Sequence, residues 1–481
     1  MPTLLRPAMV FALTGLLHIF TFSGPAVAKT FYIDPATGNA SNDGSQASPW
    51  RTLQEVIENG LIESQRWNRP YTPGGGKVMH NVGAPVKAGD TLELMSGYHG
   101  KIDIHWYQNS STITIRAGAN QTPTASQLHF QSSARWSVSG LTISPEFGDI
   151  DEGNLIRIES HGYNGPSSHI TISNNTLYSA KNIANWSVND WLSRAKSGIS
   201  VDGDYSVIRN NTIRNIAFGI SVSGDHVTVQ NNSVINFSGD GMRGLGDYGL
   251  FEYNFVANAF KVNSNHDDGF QSWSRDGKPV VGVVLRGNQF HTNFDHPNPA
   301  LLSTFQGIGC FDGYYNNWIV ENNLLAVSHW HGISLYGANN SRIVNNTVVD
   351  SPAHSDDRMV PWIRLTTHKN ATYGSGNVVR NNIGRLASIS TGVSIDHNLE
   401  PDVTPSDQSN YQTIFRSPQS GNYQLKGSSP AVGAGSSQLA PSIDITGKPR
   451  NGAIDLGAFQ YRAAPLTPLL LLLEDEPIAP E

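Results

Sequence analysis

The stretch that decides the fold is Ile172-Ser-Asn-Asn-Thr-Leu177: an apolar residue, two variable residues, asparagine, one variable residue and a second apolar residue. The same phrase returns seven times before residue 385. The aligned asparagines are 36, 21, 22, 34, 35, 23 and 36 residues apart. A unit of about 22 residues is therefore repeated, and a repeat of this length indicates a solenoid. The aligned asparagines are Asn175, Asn211, Asn232, Asn254, Asn288, Asn323, Asn346 and Asn382.

The local pattern favours strands over helices. Apolar residues alternate with polar ones in short β-branched runs, as in Ile170-Thr-Ile172 and Ile220-Ser-Val222, and Gly, Asn, Asp and Ser separate the runs. At about 3.3 Å per strand residue, one repeat holds three short strands and their turns. A leucine-rich repeat is disfavoured because its leucine frame is missing. The sequence predicts an all-β, parallel β-helix in which asparagine adopts the left-handed conformation at a corner and stacks from coil to coil.

The first 28 residues have the pattern of a secretory signal peptide. Arg6 precedes the apolar stretch Met9–Phe22, and Ala26-Val-Ala28 ends the segment with small residues. An uncleaved membrane anchor is disfavoured because the apolar stretch is shorter than the roughly 20 residues needed to span a bilayer. We expect cleavage before Lys29, a secreted or periplasmic protein, and no transmembrane segment in the mature chain.

Composition excludes some functions and constrains the source of stability. The chain carries 32 basic and 39 acidic residues, a net charge of −7 that becomes −8 when Arg6 is removed. This balance argues against a nucleic-acid surface, which needs a basic face. Cys310 is the single cysteine, so an intrachain disulfide is excluded and stability must come from stacked coils. We expect a monomer without an organic cofactor.

The chain outside the repeats predicts caps at both ends. Solenoid ends need cover because they expose strand edges and core. The strand Thr30–Ile33 and an amphipathic helix over Pro49–Glu58 would close the first coil. Near the other end, Ser428–Gly435 and Asp455–Tyr461 resemble a closing segment. The predicted organisation is a signal peptide (1–28), an N-terminal cap (29–89), coils (90–400), a C-terminal closing segment (401–461) and a leucine-rich acidic tail (462–481).

The aligned asparagines also help to locate a functional site, because residues at equal offsets from them should lie at equivalent positions in successive coils. Glycine follows the asparagine by eight or nine residues in several coils, so Phe218-Gly, Asp240-Gly and His331-Gly should stack on one sheet. The coil after Asn254 carries extra residues before Gly269, and such insertions would wall a groove. The predicted groove is lined by Asp240, Arg243, His266, Asp267, Asp268, Gln271, Trp273, His329, Trp330 and His331, with Lys261 in the long coil and Arg364 one coil further on.

This mixture of side chains suits chemistry on sugars. Carboxyl groups placed close together raise one another's pKa, and imidazole supplies a base near neutrality. Arginine or a cation neutralises a substrate carboxylate, while tryptophan rings stack on sugar faces. Asp267 and Asp268 are candidates for a Ca²⁺ site because Ca²⁺ prefers carboxylate oxygens. Each feature also has a structural alternative: Asp-Gly is a common turn, paired aspartates are often solvated, and a loop lysine such as Lys261 is usually exposed.

The repeat, caps and groove resemble secreted right-handed parallel β-helix proteins that act on polysaccharides. In polygalacturonase-type hydrolases an Asp, an Asp-Asp pair and a His-Gly lie on successive coils, and Asp240, Asp267-Asp268 and His331-Gly332 occur here in that order. We expect two coils to intervene before His331, which would place it roughly 10 Å along the axis from Asp268. That separation is too large for an ordinary polygalacturonase site.

A second resemblance is to mannuronan C-5 epimerases and related uronate lyases. Trp330-His-Gly-Ile333 and His266-Asp-Asp268 are similar to their motifs, although their Asp-Pro-His-Asp signature is absent. The resemblance implies a lyase or C5-epimerase acting on an acidic polysaccharide by proton abstraction at C5 of a uronate. The alternatives are a glycoside hydrolase using paired aspartates and a non-catalytic carbohydrate-binding solenoid. In the preferred hypothesis the base is His331 or His266, the neutralising group is Arg243 or Arg364, and Asp240, Asp267 and Asp268 bind Ca²⁺ or orient the histidines.

Overall fold

The computed structural model of the chain describes residues 28–151, 153–351, 359–371 and 374–463. Nearly all of the predicted signal peptide, the tail from residue 464 and an insertion at 352–358 lie outside the described residues. Within these ranges no helix has both the length and the apolar character that crossing a bilayer would require.

Three long parallel sheets run the length of the molecule, and each full coil contributes one strand to each of them. We name them the ladder sheet, the middle sheet and the groove sheet. The ladder sheet has 13 strands: β1 (Thr30–Ile33), β4 (Thr91–Leu94), β7 (Gln108–Ala117), β10 (Ala134–Ser139), β13 (Ser168–Ser173), β16 (Val207–Arg209), β19 (Thr228–Gln230), β22 (Leu250–Glu252), β26 (Val284–Arg286), β30 (Ile319–Glu321), β34 (Arg342–Val344), β37 (Val378–Arg380) and β39 (Ser394–Asp396).

The other two sheets are slightly shorter. The middle sheet has 10 strands: β5 (Gly97–Tyr98), β8 (Pro123–Ala125), β11 (Thr142–Ile143), β14 (Thr176–Tyr178), β17 (Thr212–Ile216), β20 (Ser233–Phe237), β23 (Phe255–Ala259), β27 (Gln289–His291), β31 (Leu324–Ala326) and β35 (Thr347–Val349). The groove sheet has 11 strands: β6 (Lys101–His105), β9 (Gln127–Gln131), β12 (Asn154–Glu159), β15 (Ser197–Val201), β18 (Ile220–Val222), β21 (Met242–Gly244), β24 (Asp268–Trp273), β28 (Gln306–Asp312), β32 (His331–Tyr336), β36 (Trp362–Thr366) and β38 (Arg385–Leu386).

Small elements complete the description. Two antiparallel pairs and one short parallel sheet lie outside the three long sheets. They are β2 (Ser64–Trp67) with β3 (Lys77–His80), β40 (Phe415–Ser417) with β41 (Asn422–Leu425), and the parallel set β25 (Val280–Val281), β29 (Tyr315–Asn316) and β33 (Ala338–Asn339). The α-helices are α1 (Leu53–Glu58), α2 (Val188–Arg194) and α3 (Tyr411–Ile414), and 3₁₀ turns cover Pro299–Leu301 and Pro418–Ser420.

The interior is built from identical strand positions stacked on one another. In the ladder sheet Ile208, Val229, Phe251, Leu285 and Val320 are paired in register and fully buried. The residue that follows each of them is polar or charged, which gives the strands part of their alternating pattern: Arg209, Gln230, Glu252, Arg286 and Glu321. Complete burial of an apolar side chain of this size contributes about 1.5–3 kcal/mol, so the stack itself stabilises the solenoid.

An asparagine ladder occupies the corner between the ladder sheet and the middle sheet. Each aligned asparagine donates its backbone N–H and its side-chain Nδ2–H to Oδ1 of the asparagine one coil further on. Between Asn254 and Asn288 both bonds are 3.0 Å long. The ladder extends one rung beyond the predicted eight, because Asn382 donates in the same way to Asn398. These bonds satisfy buried corner groups that would otherwise lack partners.

The predicted left-handed conformation belongs to the residue before each ladder asparagine. Asn231, Tyr253 and Gly287 have φ values of 53°, 56° and 65°, whereas the ladder asparagines are not in the left-handed region. The expectation that the aligned asparagine itself adopts this conformation is therefore wrong. The corner needs one left-handed residue to turn the chain, and the next residue then points its amide inward.

Both ends of the coil stack are covered. β1 pairs in parallel with β4, so the first strand forms the end of the ladder sheet. α1 begins later than predicted because the Thr52 side chain caps it by accepting the Glu55 N–H. Near the C-terminus the chain runs along the ladder corner, where the side chains of Asn345 and Asn381 donate to backbone carbonyls of Asp455 and Ser436 at 3.1 and 2.8 Å.

Length differences between coils concentrate at one corner. The link from the ladder sheet to the middle sheet is two residues long in every coil from β13 to β35. The link from the middle sheet to the groove sheet is short in some coils and long in others, and the long segments cover 179–196, 260–267 and 292–305. These segments stand beside the starts of the groove strands and form a wall there.

Candidate active site

A four-residue phrase opens successive strands of the groove sheet. It consists of an outward residue, glycine, an inward apolar residue and a second outward residue, and it stacks in register along the sheet. Glycine is required because an added Cβ at Gly241 would lie 2.4 Å from Val256 in the core. Four of the copies line the site: Asp240-Gly-Met-Arg243, Asp268-Gly-Phe-Gln271, Gln306-Gly-Ile-Gly309 and His331-Gly-Ile-Ser334.

The two outward residues of a copy bond to each other. Arg243 Nε donates to Asp240 Oδ2 at 2.5 Å, and Gln271 Nε2 donates to Asp268 Oδ2 at 3.0 Å. In the last copy His331 Nδ1 lies 2.8 Å from Ser334 Oγ. The repeat therefore lays two parallel columns of functional side chains along the groove, one strand spacing apart from coil to coil.

Asp240 and Asp268 form a buried carboxyl pair on neighbouring strands. Both side chains are inaccessible to solvent, and the Asp268 N–H donates to Asp240 Oδ1 at 3.1 Å. Burial raises the pKa of Asp268 well above its ordinary value, and the carboxylates of Asp240 and Asp267 raise it further. Burial also raises the pKa of Asp240, against the opposing effect of Arg243. Because Arg243 favours the ionised form of Asp240, Asp268 is the member of the pair that takes up a proton more readily.

The hydrogen bonds distinguish the two oxygens of Asp268. Oδ2 accepts from Gln271, whereas Oδ1 has no partner among the described residues. Oδ1 lies over Gly309 of the next coil, where an added Cβ would be only 2.2 Å away. The missing side chain of Gly309 thus makes room for a neutral carboxyl group that can donate.

Asp267 turns to the other side of the strand from Asp268. Its Oδ2 accepts from Ser303 Oγ at 2.5 Å, and it borders a cavity of about 300 Å³. Burial raises the pKa of Asp267 to about 7. The cavity is lined by Lys261, His266, Asp267, Leu302, Ser303, Thr304, Gln306 and His329.

Replacing Asp267 with asparagine is expected to stabilise the folded protein at about pH 8 and to have little effect near pH 4. The folded pKa lies above the ordinary 3.8, so the cost of burying the ionised group grows between pH 3.8 and about 7 and is complete above that. Asparagine still accepts the Ser303 hydrogen bond. We expect a gain on the order of 2 kcal/mol at pH 8, measured by urea unfolding at both pH values.

The exposed turn residue Asp276 supplies the matched control. Its side chain is open to solvent, so Asp276→Asn should leave stability unchanged at both pH values. An equal gain at both pH values for Asp267→Asn would contradict the assigned burial cost.

His329 and His331 are neutral at physiological pH. Burial, with His266 and Lys261 nearby, lowers the pKa of His329 to about 4. Burial, His329 and Arg364 lower the pKa of His331 to about 4. The two rings stack with centroids 5.3 Å apart. The His331 N–H donates to His329 Nδ1 at 3.1 Å, which fixes the pair.

A cation and two tryptophans continue the site one coil further on. Arg364 pairs in register with Ser334, as the sequence predicted. Its Nε is buried without a hydrogen-bond partner, and its guanidinium lies over the rings of Tyr336 and Trp362 at 5.2 and 5.5 Å. Trp330, 47 % exposed, stacks on Trp362 with centroids 5.8 Å apart. Such a half-exposed stacked ring is suited to a sugar face.

The remaining predicted residues lie around this core. Arg243 is held between the rings of Phe218 and Trp273 at 4.0 and 5.5 Å. Lys261 and His266 are exposed and lie on the long loop of the wall, where Lys261 Nζ donates to the Asn265 carbonyl at 2.5 Å. They face the Asp267 cavity, which His329 also lines, and His266 is close enough to His331 to help lower its pKa.

The predicted separation of Asp268 and His331 along the axis agrees with the structure, although the predicted number of coils between them was wrong. A single strand, β28, lies between the strands of Asp268 and His331, so two strand spacings of about 4.8 Å separate them and the separation is still about 10 Å. Three further residues of the site were not predicted from the sequence: Gln306 on that strand, Ser303 and Trp362. Gln306-Gly-Ile-Gly309 repeats the four-residue phrase and could have been found from it, whereas Ser303 and Trp362 carry no repeat signal.

The predicted Ca²⁺ ligands do not converge. Because Asp267 and Asp268 turn to opposite sides of their strand, a shared ion would need oxygens from elsewhere. The described Asp, Glu, His and Cys residues do not gather a group of three ligand atoms at this place.

Comparison with known proteins supports the architecture. Residues 197–384 match the family model described as right handed beta helix region. Together with the three parallel sheets, this match confirms the predicted all-β, right-handed parallel β-helix. None of the curated proteins compared with the chain matches it.

Several solved structures are similar at low identity. XylC in complex with xylose is 10 % identical over 77 % of this chain and 83 % of that chain, with a TM-score of 0.48. Pectate lyase Pel9A is 15 % identical over 91 % and 98 %, with a TM-score of 0.46. The A-module of the Azotobacter vinelandii mannuronan C-5 epimerase AlgE4 is 12 % identical over 73 % and 93 %, with a TM-score of 0.37.

Proposed function

We propose that the protein is a polysaccharide-active enzyme that removes the C5 proton of a uronate, as a lyase or a C5-epimerase. The observation that carries the proposal is a neutral imidazole beside an arginine that lacks a carboxylate partner. Arg243 already has a carboxylate partner, because its Nε donates to Asp240 Oδ2 at 2.5 Å. Arg364 makes no ion pair within the described residues, and its Nε is buried without a partner. A uronate carboxylate would supply that partner.

The two groups have the properties that the first step needs. His331 is unprotonated at neutral pH because its pKa is lowered to about 4, so it can accept a proton. When Nδ1–H donates to Ser334 Oγ, Trp362 Nε1, which is 3.3 Å from both His331 Nδ1 and Ser334 Oγ, donates to that hydroxyl, and the lone pair of His331 Nε2 is available as the base. Arg364, one strand away, stabilises the second negative charge that develops on the substrate carboxylate as C5 loses its proton.

The chemistry then divides according to the fate of the carbanion. In a lyase the electron pair from the C5–H bond forms the C4–C5 double bond, the C4–O4 bond breaks, and O4 takes a proton. In an epimerase a proton returns to C5 on the opposite face. Asp268, whose pKa burial raises, lies beneath the surface of the groove and accepts a hydrogen bond from Gln271, so it is our candidate for positioning Gln271 against the adjoining sugar.

Hydrolysis is the second candidate, and the carboxyl cluster favours it. Asp240, Asp267 and Asp268 are buried on two neighbouring strands, and the pKa of Asp267 is raised to about 7. A glycoside hydrolase uses one protonated and one ionised carboxyl group. In that reaction Asp267 or Asp268 would be the acid and Asp240 the ionised partner, and His331 would only bind substrate.

Incubation with acidic and neutral polysaccharides, with and without chelator, tests the proposal. An unsaturated uronate, seen by its ultraviolet absorbance, indicates a lyase, and altered uronate composition at constant chain length indicates an epimerase. Reducing ends without that absorbance would replace the proposal with the hydrolase. Retention on a polysaccharide column without any product would leave only a carbohydrate-binding solenoid.

The remaining parts of the proposal concern location and calcium. We propose a secreted or periplasmic monomer that meets its polysaccharide outside the cytoplasm. Ca²⁺ at Asp267 and Asp268 would need oxygen ligands from the substrate, because the two carboxyls turn apart. Loss of activity with chelator, restored by Ca²⁺, would support such an ion.

Gly309→Ala is expected to lower kcat about a hundredfold while the circular dichroism spectrum stays unchanged. The new Cβ would lie 2.2 Å from Asp268 Oδ1 and force that carboxyl out of position. A misplaced catalytic group of this kind costs about 10²-fold in rate. Steady-state kinetics on the substrate found in the panel measures the effect. Gly162→Ala is the matched control because nothing lies within 4 Å of its added Cβ, and unchanged kcat in Gly309→Ala would remove Asp268 from the mechanism.

A further inference from the structure

The groove sheet carries a second cluster of polar side chains near its N-terminal end. Asp103 and His105 lie on β6, and His129 lies opposite Asp103 on β9. His105 Nε2 is 3.2 Å from His129 Nδ1. Asp103 Oδ1 is 3.7 Å from His105 Nε2 and 3.9 Å from His129 Nδ1. Within the described part of the chain, this is the one group of three or more His, Cys, Asp or Glu whose ligand atoms lie mutually within 4.8 Å.

One histidine of the cluster is held in a defined tautomer. His129 Nε2 lies 2.9 Å from Glu159 Oε2, and an ionised carboxylate accepts hydrogen bonds without donating. His129 therefore carries its proton on Nε2 and its lone pair on Nδ1, which faces His105 and Asp103. Glu159 is itself fixed by Gln131 Nε2 at 3.2 Å. A carboxylate behind a histidine is the arrangement that orients metal-binding imidazoles.

We propose that Asp103, His105 and His129 bind one divalent transition-metal ion of the Zn²⁺ type. The three ligand atoms form a triangle with sides of 3.2, 3.7 and 3.9 Å. The circumradius of this triangle is about 2.1 Å, which matches Zn–N distances of about 2.0–2.1 Å and Zn–O distances of about 2.0–2.2 Å. The three ligand atoms are therefore close to the spacing that one such ion requires.

The donor set selects the class of metal. Two imidazole nitrogens and one carboxylate oxygen suit Zn²⁺ and its neighbours in the first transition row, whereas Ca²⁺ prefers oxygen ligands alone. Three protein ligands leave a fourth position open, as in catalytic rather than structural zinc sites. The side chains of Asp103 and His105 are 34 % and 28 % exposed, so water can reach that position.

The charges around the cluster favour a cation. Lys101 Nζ is 3.8 Å from Asp103 and also contacts Asp151, while Arg157 is 3.5 Å from Glu159. Two cations thus face three carboxylates, and the surroundings of the neutral imidazoles carry a net charge of −1. A divalent ion would change this net charge from −1 to +1.

The site is separate from the proposed reaction centre but shares its face. His129, Arg157, Ser200, Ser221 and Arg243 occupy one register across five groove strands. Four strand spacings of about 4.8 Å place His129 about 19 Å from Arg243 along the axis. Metal binding here does not depend on the proposed function, and its failure would leave that proposal untouched.

Titration of the untagged full-length protein with Zn²⁺ and with Co²⁺ tests the proposal. We expect one equivalent of Zn²⁺ by calorimetry and, for Co²⁺, visible bands of the intensity typical of four-coordinate sites. Asp103→Asn and His105→Gln should abolish both signals, and these half-exposed positions should tolerate the change. Glu159→Gln should weaken binding 10–100-fold, as loss of an orienting carboxylate does.

His226→Ala is the matched control, because His226 lies in a turn away from the cluster and should leave binding unchanged. Binding that survives His105→Gln, or a Co²⁺ spectrum that stays that of the hydrated ion, would overturn the site. In that case the 3.2 Å contact would be an ordinary hydrogen bond between the two imidazoles.

Discussion

His331→Ala is expected to lower turnover of a uronate polysaccharide by 10²–10⁴-fold, the usual contribution of a positioned general base. Its pKa of about 4 keeps the imidazole unprotonated, and the substitution removes the group that we propose accepts the C5 proton. The loss should appear in kcat more than in KM, because substrate is still held by the aromatic stack and Arg364. Initial rates of formation of the unsaturated or epimerised uronate measure it.

Two comparisons make this result specific. Because His331 lies on the outer face of its strand, the alanine variant should keep the β-rich circular dichroism spectrum and the thermal midpoint of the wild type. His226→Ala, in a turn at the opposite edge of the groove sheet, should keep full activity. If His331→Ala retains wild-type kcat, the base is another group, and the neutral imidazole of His329 becomes the next candidate.

Asn288→Ala is expected to destabilise the protein by about 3–5 kcal/mol, because several buried groups lose partners together. Oδ1 of Asn288 accepts the backbone N–H and the Nδ2–H of Asn254, each at 3.0 Å. Its Nδ2 donates to the carbonyl of Phe251 at 2.9 Å and to Oδ1 of Asn323 at 3.0 Å. Alanine replaces none of these bonds. Urea unfolding followed by circular dichroism, with hydrogen exchange to locate the opened coils, measures the effect.

The last rung of the same ladder is the control for position. Asn398 accepts from Asn382 in the same way, but it is only partly buried, so water can replace what its side chain provides. Asn398→Ala should therefore cost clearly less than Asn288→Ala. Equal losses at the two positions would mean that the ladder contributes through chain conformation and not through buried hydrogen bonds.

The fold could be predicted because the same corner and strand pattern recurs eight times in the sequence. Each copy places an asparagine at the same corner, and the strand pattern on either side excludes helices. The missed rung, Asn398, follows Asn382 by only 16 residues and lacks the repeated phrase, so spacing could not reveal it. The left-handed residue was assigned one position too late, because the paired asparagines in most copies hide which of the two turns the chain.

The site could be predicted only in coils that carry a ladder asparagine, because the offset from that asparagine locates a residue within its coil. Asp240 and His331 each follow a ladder asparagine by eight residues, so their shared face was evident from the sequence, whereas Asp268 follows by 14 and is placed there only by the glycine after it. His105 and His129 precede the first ladder asparagine, Asn175, and their approach depends on coils without that marker. The contact of Ser303 with Asp267 comes from the path of an inserted loop, which no periodicity encodes.

The contrast between the two kinds of corner has a consequence for how such a protein can change. The ladder corner is two residues long in every coil from β13 to β35, whereas the links into the groove sheet at 179–196, 260–267 and 292–305 differ in length from one another. The residues that build the scaffold and the residues that border the groove thus belong to separate segments of the chain. Exchange of these three segments between homologous genes, or randomisation within them, should yield libraries in which the scaffold is inherited intact and only ligand preference varies.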